Sequence, residues 1–157
     1  MKPTGFWDFS LAYYGNPQVA VTCLELQDIY GVNVNLLLWS LWLESEHLLL
    51  TEERLKAAIN VVSTWEQSYV WPLRQLRRSM KRDFAVSPGQ VAEVREQIKQ
   101  AEFLAEKQEQ QWLQDLVSSW KPLSEPLQKN QNLGVYLLYL DLPLAVIERA
   151  TSQCGLP

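Results

Sequence analysis

Apolar residues recur along most of this chain at helical spacings of three and four positions, and alternating apolar and polar runs are nearly absent. Local signals divide it into segments: Asn16-Pro17 is typical of a helix start, and Gly31 of a helix end. The connections between segments are mostly short. The pattern therefore predicts an all-α fold, a compact bundle of about seven or eight helices forming a single helical domain over residues 1–157.

The most apolar run is NVNLLLWSLWL, residues 33–43. Asn33 suits an N-cap, and Glu44 and Glu46 follow the run. Its apolar part is ten residues, far short of the roughly 20 that a membrane-spanning helix requires. A helix that is apolar nearly all round is normally buried. Residues 33–46 are therefore predicted to form the central helix of the bundle.

A long helix is predicted over about residues 88–120. Its apolar positions alternate between spacings of three and four, as in a coiled-coil seam: Val91, Val94, Ile98, Ala101, Ala105 and, after a polar gap, Trp112. We expect this seam to pack on the preceding helix as an antiparallel arm, with a homodimer seam as the alternative. Pro72 must kink or restart the helix in which it lies.

The helix after Pro72 carries the first candidate site. Its cationic residues fall within about 140° of the helical circumference: Arg74, Arg77, Arg78, Lys81 and Arg82. Its apolar residues fall on the opposite side: Leu73, Leu76, Met80 and Phe84. This amphipathic pattern predicts a nearly pure cationic outer face. Guanidinium groups bind phosphate and carboxylate well, so we interpret this face as the binding site for an anionic partner.

Several partners would suit such a face, and an internal role is the alternative. The net charge of -4 disfavours bulk, nonspecific nucleic-acid binding, and peripheral membrane attachment is the least favoured mode. An acidic protein or a ribonucleoprotein surface is therefore the predicted partner. If the long helix lies antiparallel, however, some of its glutamates can face the arginines instead: Glu93, Glu96, Glu102, Glu106 and Glu109.

A second cluster of polar residues, Asp28, Asn33 and Asn35, lies at the turn between the second and third predicted helices. These side chains form either a structural hydrogen-bond network or the polar groups of a ligand pocket. The aromatic walls of such a pocket would come from Trp39, Trp42 and Tyr13 or Tyr14. A small-molecule-binding protein or enzyme is thus the alternative function.

Motifs for catalysis or metal binding are lacking in the sequence. The single histidine, His47, lies beside Glu44 and Glu46 at a predicted helix end, where a catalytic role is not favoured. Cys23 and Cys154 fit no metal spacing and are expected to be free thiols. With no secretory pattern at the N-terminus, we expect a cytoplasmic, non-enzymatic protein without metal or cofactor, although an enzymatic role stays open.

Two segments carry a resemblance: LQDIYGVNVNLLLWSLWL, residues 26–43, and WEQSYVWPLRQLRRSMK, residues 65–81. They resemble a family of short, all-helical bacterial proteins known only as an uncharacterised domain of unknown function. The resemblance extends from FWDFSLAYYG to AEFLAEKQEQQWL and implies a cytosolic protein with no assigned activity. The family pattern has aspartate where Asn33 stands, and both residues serve equally as an N-cap.

Overall fold

The computed structural model of the protein describes residues 5–84 and 89–157, and in these ranges every regular element is helical. Within these described ranges, eight α-helices and one π-helical turn follow each other: α1 Phe6–Tyr14, α2 Pro17–Tyr30, α3 Val34–Ser45, α4 Glu52–Trp65, the π turn Glu66–Val70, α5 Trp71–Phe84, α6 Gln90–Leu116, α7 Gln131–Tyr139 and α8 Leu144–Cys154. The predicted all-α bundle is confirmed.

Local capping chemistry sets the turn between α2 and α3, next to which the candidate site lies. Gly31 ends α2 in the left-handed region at a φ of 66°, where a residue without Cβ is favoured. Asn33 begins α3, and its Oδ1 accepts a hydrogen bond from the backbone N–H of Leu36 at 3.2 Å. The chain therefore reverses within three residues and presents Asn33 and Asn35 to the interior.

Helix α3 is the centre of the bundle, as its all-round apolar sequence predicts. Every residue from Asn35 to Glu44 is buried, and Leu37, Trp39, Leu41 and Leu43 are completely inaccessible. The helix packs against α1, α2, α6 and α7. No helix in the described part of the chain is long and apolar enough to cross a membrane.

The π turn between α4 and α5 is the structural response to Pro72. Proline has no N–H to donate, and its ring collides with the carbonyl four residues earlier in an α-helix. In the π turn the Trp71 N–H bonds to the Glu66 carbonyl, five residues back, which widens the helix just ahead of the proline. The helix therefore continues through Pro72, and Glu66 is turned toward α6.

Helices α5 and α6 pack along each other and run antiparallel. Arg74 pairs with Glu106, whereas Arg77, further along α5, pairs with the earlier Glu102 and receives a bond to its carbonyl from Arg95. The predicted arm is thus confirmed. Helix α6 ends at Leu116 rather than near 120, and position 88 lies outside the described residues. Along the seam Ala105 is buried but Val94 is 52 % exposed. A homodimer formed through the exposed half of this seam stays a prediction.

Candidate functional site

The cationic residues of α5 divide into an inner and an outer set. Arg74 is only 6 % exposed and Arg77 is partly buried, whereas Lys81 and Arg82 are exposed near the end of the helix. Leu76 and Phe84, which the amphipathic pattern places toward the core, are 47 % and 58 % exposed. The prediction of a nearly pure cationic outer face is therefore wrong, because the inner half of that face is turned toward α6.

Arg74 is the centre of an ion-pair cluster. Its guanidinium reaches three carboxylates: Glu106 at 2.7 Å, Glu102 at 3.3 Å and, on the π turn, Glu66 at 3.4 Å. Glu102 also accepts hydrogen bonds from Arg77 through both carboxylate oxygens. We call these five residues the Arg74 cluster. The internal pairing considered as the alternative from sequence is thus confirmed for Glu102 and Glu106.

Arg78 and Asp28 form a separate pair at the edge of the Arg74 cluster. Arg78 Nη1 lies 2.8 Å from Asp28 Oδ1, and both side chains are about one third to one half exposed, at 35 % and 46 %. The pair links α5 to the last turns of α2. The sequence places Asp28 either in a structural hydrogen-bond network or in a ligand pocket. In the structure, its ion-pair partner is Arg78.

Glu109 lies beneath the cluster and is completely inaccessible to solvent. It shares one face of α6 with Glu102 and Glu106, because spacings of four and three bring side chains to the same side of a helix. Asn33 Nδ2 donates to Glu109 Oε1 at 2.8 Å, a bond that an aspartate at this position could not supply. Burial and the nearby charge of Glu66 raise the pKa of Glu109 to about 8, so it retains its proton at neutral pH.

The polar corner predicted at Asp28, Asn33 and Asn35 extends into this interior network. Asn35 is 9 % exposed, and its Oδ1 accepts a hydrogen bond from Gln110 Nε2 at 2.9 Å. The backbone N–H of Asn33 donates to the Tyr136 hydroxyl at 3.1 Å. Asn33 and Asn35 therefore hold the end of α3 to α6 and α7, which is the structural role considered for them.

Two cavities lie on either side of the cluster and share a wall made of Gln27, Asn33, Glu66, Arg74 and Arg78. The larger, about 730 Å³, extends toward α4 and α7, with Trp71, Tyr136 and Tyr139 among its lining residues. The smaller, about 330 Å³, lies between α1, α2, α5 and α6. Its aromatic walls are Trp7, Tyr14 and Phe103, and its polar groups include Ser10, Asn35 and Gln110.

Neither cavity is lined by Trp39 or Trp42, the tryptophans expected to wall a pocket. Trp39 donates from Nε1 to the Leu113 carbonyl at 3.1 Å, and Trp42 stacks on Phe6 with ring centroids 5.4 Å apart. Both rings belong to the core of α3, so that part of the pocket hypothesis is wrong. Of the two tyrosines, Tyr14 lines the smaller cavity, whereas the Tyr13 hydroxyl donates to the carbonyls of Cys154 and Gly155.

Three buried polar atoms have no hydrogen-bond partner among the described residues: Ser10 Oγ, Gln110 Oε1 and Glu109 Oε2. Leaving such a group unpaired costs about 1–3 kcal/mol, so buried polar atoms are normally satisfied. Ser10 and Gln110, each 4 % exposed, both line the smaller cavity. The smaller cavity thus combines aromatic walls with unused hydrogen-bonding capacity.

The region around His47 connects the end of α3 to α7 through Glu44. His47 follows the end of α3 with a positive φ of 58°, and the Glu44 carboxylate accepts the backbone N–H groups of Asn130 and Asn132 at 2.7 and 3.1 Å. Glu44 therefore anchors the start of α7. Across residues 5–84 and 89–157, no group of three His, Cys, Asp or Glu side chains is arranged to hold a metal ion.

The profile of one protein family matches residues 5–113, more than half of the chain. The chain belongs to DUF2390, a family described as a protein of unknown function. The expected membership of an uncharacterised family is thereby confirmed. The DUF2390 match includes every lining residue of the smaller cavity and all of the Arg74 cluster, whereas Tyr136 and Tyr139 of the larger cavity lie outside it. No match was found among curated proteins or solved structures.

The sequence brought Asp28, Asn33 and Asn35 to notice, but it did not single out Ser10, Glu66 or Gln110. Glu109 was one of five glutamates on the long helix, and nothing local distinguished it. One signal was available: Glu102, Glu106 and Glu109 follow the spacing of four and three that marks a single helical face. Three acidic residues in register on one face predict a buried cationic partner only when the facing helix is known.

Replacing Arg74 by alanine is expected to lower the free energy of unfolding by about 3–5 kcal/mol, because the substitution leaves buried carboxylates without a counter-charge. Arg82→Ala is the matched control, since its side chain is 76 % exposed and little change is expected. Urea unfolding monitored by circular dichroism measures both. Equal stability of the two variants would contradict the proposed role of the Arg74 cluster.

The raised pKa of Glu109 predicts a pH dependence of stability. The folded protein keeps this proton up to a pH of about 8, whereas the unfolded chain releases it near 4.5, the ordinary pKa of a glutamate side chain. The free energy of unfolding should therefore fall as pH rises from 5 to 8, by at most about 1.4 kcal/mol per pH unit. In Glu109→Gln this fall should be reduced, so the variant gains stability relative to the wild type as pH rises.

Urea unfolding at pH 5, 6.5 and 8 tests this expectation. Glu148→Gln, at an exposed position on α8, is the control and should follow the wild type at each pH. A constant difference in stability between Glu109→Gln and the wild type over this range would show that Glu109 does not titrate there.

Proposed function

We propose that this protein binds a small organic molecule in the smaller cavity, beside the Arg74 cluster. The observation that carries the proposal is the pair of buried, unpartnered polar atoms, Ser10 Oγ and Gln110 Oε1, on residues that line an aromatic cavity of about 330 Å³. Sites for small molecules are concave, mostly apolar, and carry a few polar groups that fix orientation. The composition of this cavity fits that description.

The rigidity of the surrounding structure supports the proposal. Ser10 belongs to α1, Asn35 to α3 and Gln110 to α6, so each polar group is held by a helix rather than a loop. Gln110 is oriented by its bond to Asn35, and the carboxylates at the other end are held by Arg74 and Arg77. A preformed site loses less conformational entropy when its ligand binds.

The π turn that carries Glu66 supports the same conclusion. Such turns are uncommon and are frequent at functional sites, where they reposition one side chain. Glu66 lines both cavities and pairs with Arg74 between them. The Arg74 cluster separates the two cavities. A ligand in the smaller cavity would therefore contact this cluster.

A thermal-shift screen with metabolites of cationic, neutral and anionic classes tests the proposal. A ligand at 100 times its Kd contributes about 2.7 kcal/mol, which for a chain of this size raises Tm by about 5–10 °C. Ser10→Leu should fill the smaller cavity and abolish the shift. Ser63→Leu, which fills part of the larger cavity instead, is the matched control and should retain it.

The outcome that would contradict the proposal is a screen in which no class of compound raises Tm. Retention of the shift in Ser10→Leu and its loss in Ser63→Leu would move the site to the larger cavity. Gln110→Leu provides a second variant of the smaller cavity if Ser10→Leu fails to fold by circular dichroism.

A second proposal concerns the exposed end of α5 and retains the anionic partner expected from sequence. Lys81 and Arg82 are exposed there, next to the half-exposed Phe84. Arg82 pairs only with the adjacent, exposed Asp83 in the described structure. Because Arg74, Arg77 and Arg78 are engaged by carboxylates of this chain, the surface available to an acidic protein or a ribonucleoprotein is reduced to Lys81 and Arg82.

Charge reversal of both residues, Lys81→Glu with Arg82→Glu, should remove such a partner in affinity purification from the native cell. The control, Lys121→Glu with Lys129→Glu, changes the net charge equally at exposed positions elsewhere. Nuclease treatment separates nucleic acid from protein partners. Recovery of the same partners with all three proteins would remove this second proposal.

A further inference from the structure

We infer that the ligand of the smaller cavity is an organic amine that binds as a monocation, with a single aromatic ring or an apolar body of similar size. The inference rests on the proposed function and specifies its ligand class. Three features of the cavity support it: an uncompensated carboxylate, an acceptor without a donor, and aromatic walls.

The charged groups that line the smaller cavity are three glutamates and three arginines, but one of the arginines, Arg78, is engaged outside the lining. Asp28 takes up the charge of Arg78, which leaves three glutamates, Glu66, Glu102 and Glu106, to share the guanidinium groups of Arg74 and Arg77. Burial raises the pKa of Glu106 above its usual range despite the hydrogen bond from Arg74. The cavity therefore has one carboxylate more than its guanidinium groups compensate, and a monocation would restore the balance.

The exposed Lys107 does not provide that balance. Its Nζ lies 5.3 Å from the centre of the Trp7 ring, in contact with solvent, so water and salt screen its charge. The contact does show that the face of Trp7 accepts a cation. An ammonium group inside the cavity could use the aromatic walls in the same way, with a gain that grows with the extent to which the group is removed from water.

The unpartnered acceptor of the cavity requires a donor. Gln110 Oε1 accepts no hydrogen bond within the described residues, although its Nε2 is engaged by Asn35. An ammonium group carries up to three N–H donors and no acceptor. It can therefore satisfy Gln110 and one of the glutamates at once, and Ser10 Oγ can accept the remaining bond. A carboxylate ligand has no N–H to donate to Gln110, and it would bring a further negative charge beside three glutamates that already share Arg74 and Arg77.

The remaining surface sets the size and polarity of the rest of the ligand. Trp7 and Phe103 meet edge to face with ring centroids 5.0 Å apart, and Leu11, Leu24 and Leu38 complete the apolar lining. A volume of about 330 Å³ is at the lower end of the range for small-molecule sites. The cavity thus has room for one ring with a short side chain.

Isothermal titration calorimetry at pH 7 tests the inference with three probes of similar shape: 2-phenylethylamine, which is cationic, 2-phenylethanol, which is neutral, and 3-phenylpropionate, which is anionic. We expect the amine to bind at least about tenfold tighter than the alcohol, equivalent to about 1.4 kcal/mol. The propionate should bind most weakly. Ser10→Leu should abolish binding of all three.

Two substitutions separate the charge from the shape of the site. Glu106→Gln should weaken amine binding at least about tenfold while leaving alcohol binding unchanged, because only the charge is removed. Glu148→Gln, on the exposed surface of α8, is the matched control and should change neither. If Glu106→Gln fails to fold, Glu66→Gln is the second variant, because Glu66 also lines the smaller cavity, and it should likewise weaken the amine more than the alcohol.

Equal affinity for the amine and the alcohol, tighter binding of the propionate, or no binding of the amine would each overturn the inferred ligand class. Those results leave the proposed function intact if the metabolite screen yields a neutral or anionic ligand whose binding is abolished by Ser10→Leu. A screen without any stabilising compound contradicts the proposed function itself, so the two failures are distinguishable.

Discussion

Arg74 carries a permanent charge and is 6 % exposed, so its burial must be compensated within the protein. The compensation comes from Glu102 and Glu106 of α6 and from Glu66 of the π turn. These carboxylates lie in elements that only the folded chain brings together. The rotation of α5 about its axis is therefore the one that places the Arg74 guanidinium against these three carboxylates.

The same requirement extends the polar interior toward α3. Glu109 is buried beside Glu66 and retains its proton, and Asn33 donates to it while also capping α3. Asn35 and Gln110 continue the network on the next turn. A polar layer of this kind is stable only if its members are paired, because the low dielectric of the interior makes each unpaired group costly. Of the unpaired atoms, those of Ser10 and Gln110 line the smaller cavity, and the proposed ligand site rests on them.

The apolar and polar parts of the molecule have different functions as a result. Helix α3 supplies the core and packs against most of the bundle. Its tryptophans, Trp39 and Trp42, belong to that core and line neither of the two cavities. The two cavities lie beside the polar side chains of the Arg74 cluster, between α5 and the helices α1, α2 and α4. The proposed ligand site accordingly lies beside a charged cluster rather than in the apolar centre.

Local sequence chemistry determined the elements of this fold. Asn16-Pro17, Gly31 and Asn33 act within a few residues, so the ends of α2 and the start of α3 were predictable, and the all-round apolar pattern identified α3 as central. The face that α5 presents to solvent was decided by the tertiary structure alone. The amphipathic pattern assumes that charged side chains face water, but Glu102 and Glu106, 28 and 32 residues beyond Arg74, make burial of its guanidinium favourable. Compensation between residues so distant in sequence has no local signal, so the sequence offered the internal pairing only as an alternative and could not locate the cavities beside it.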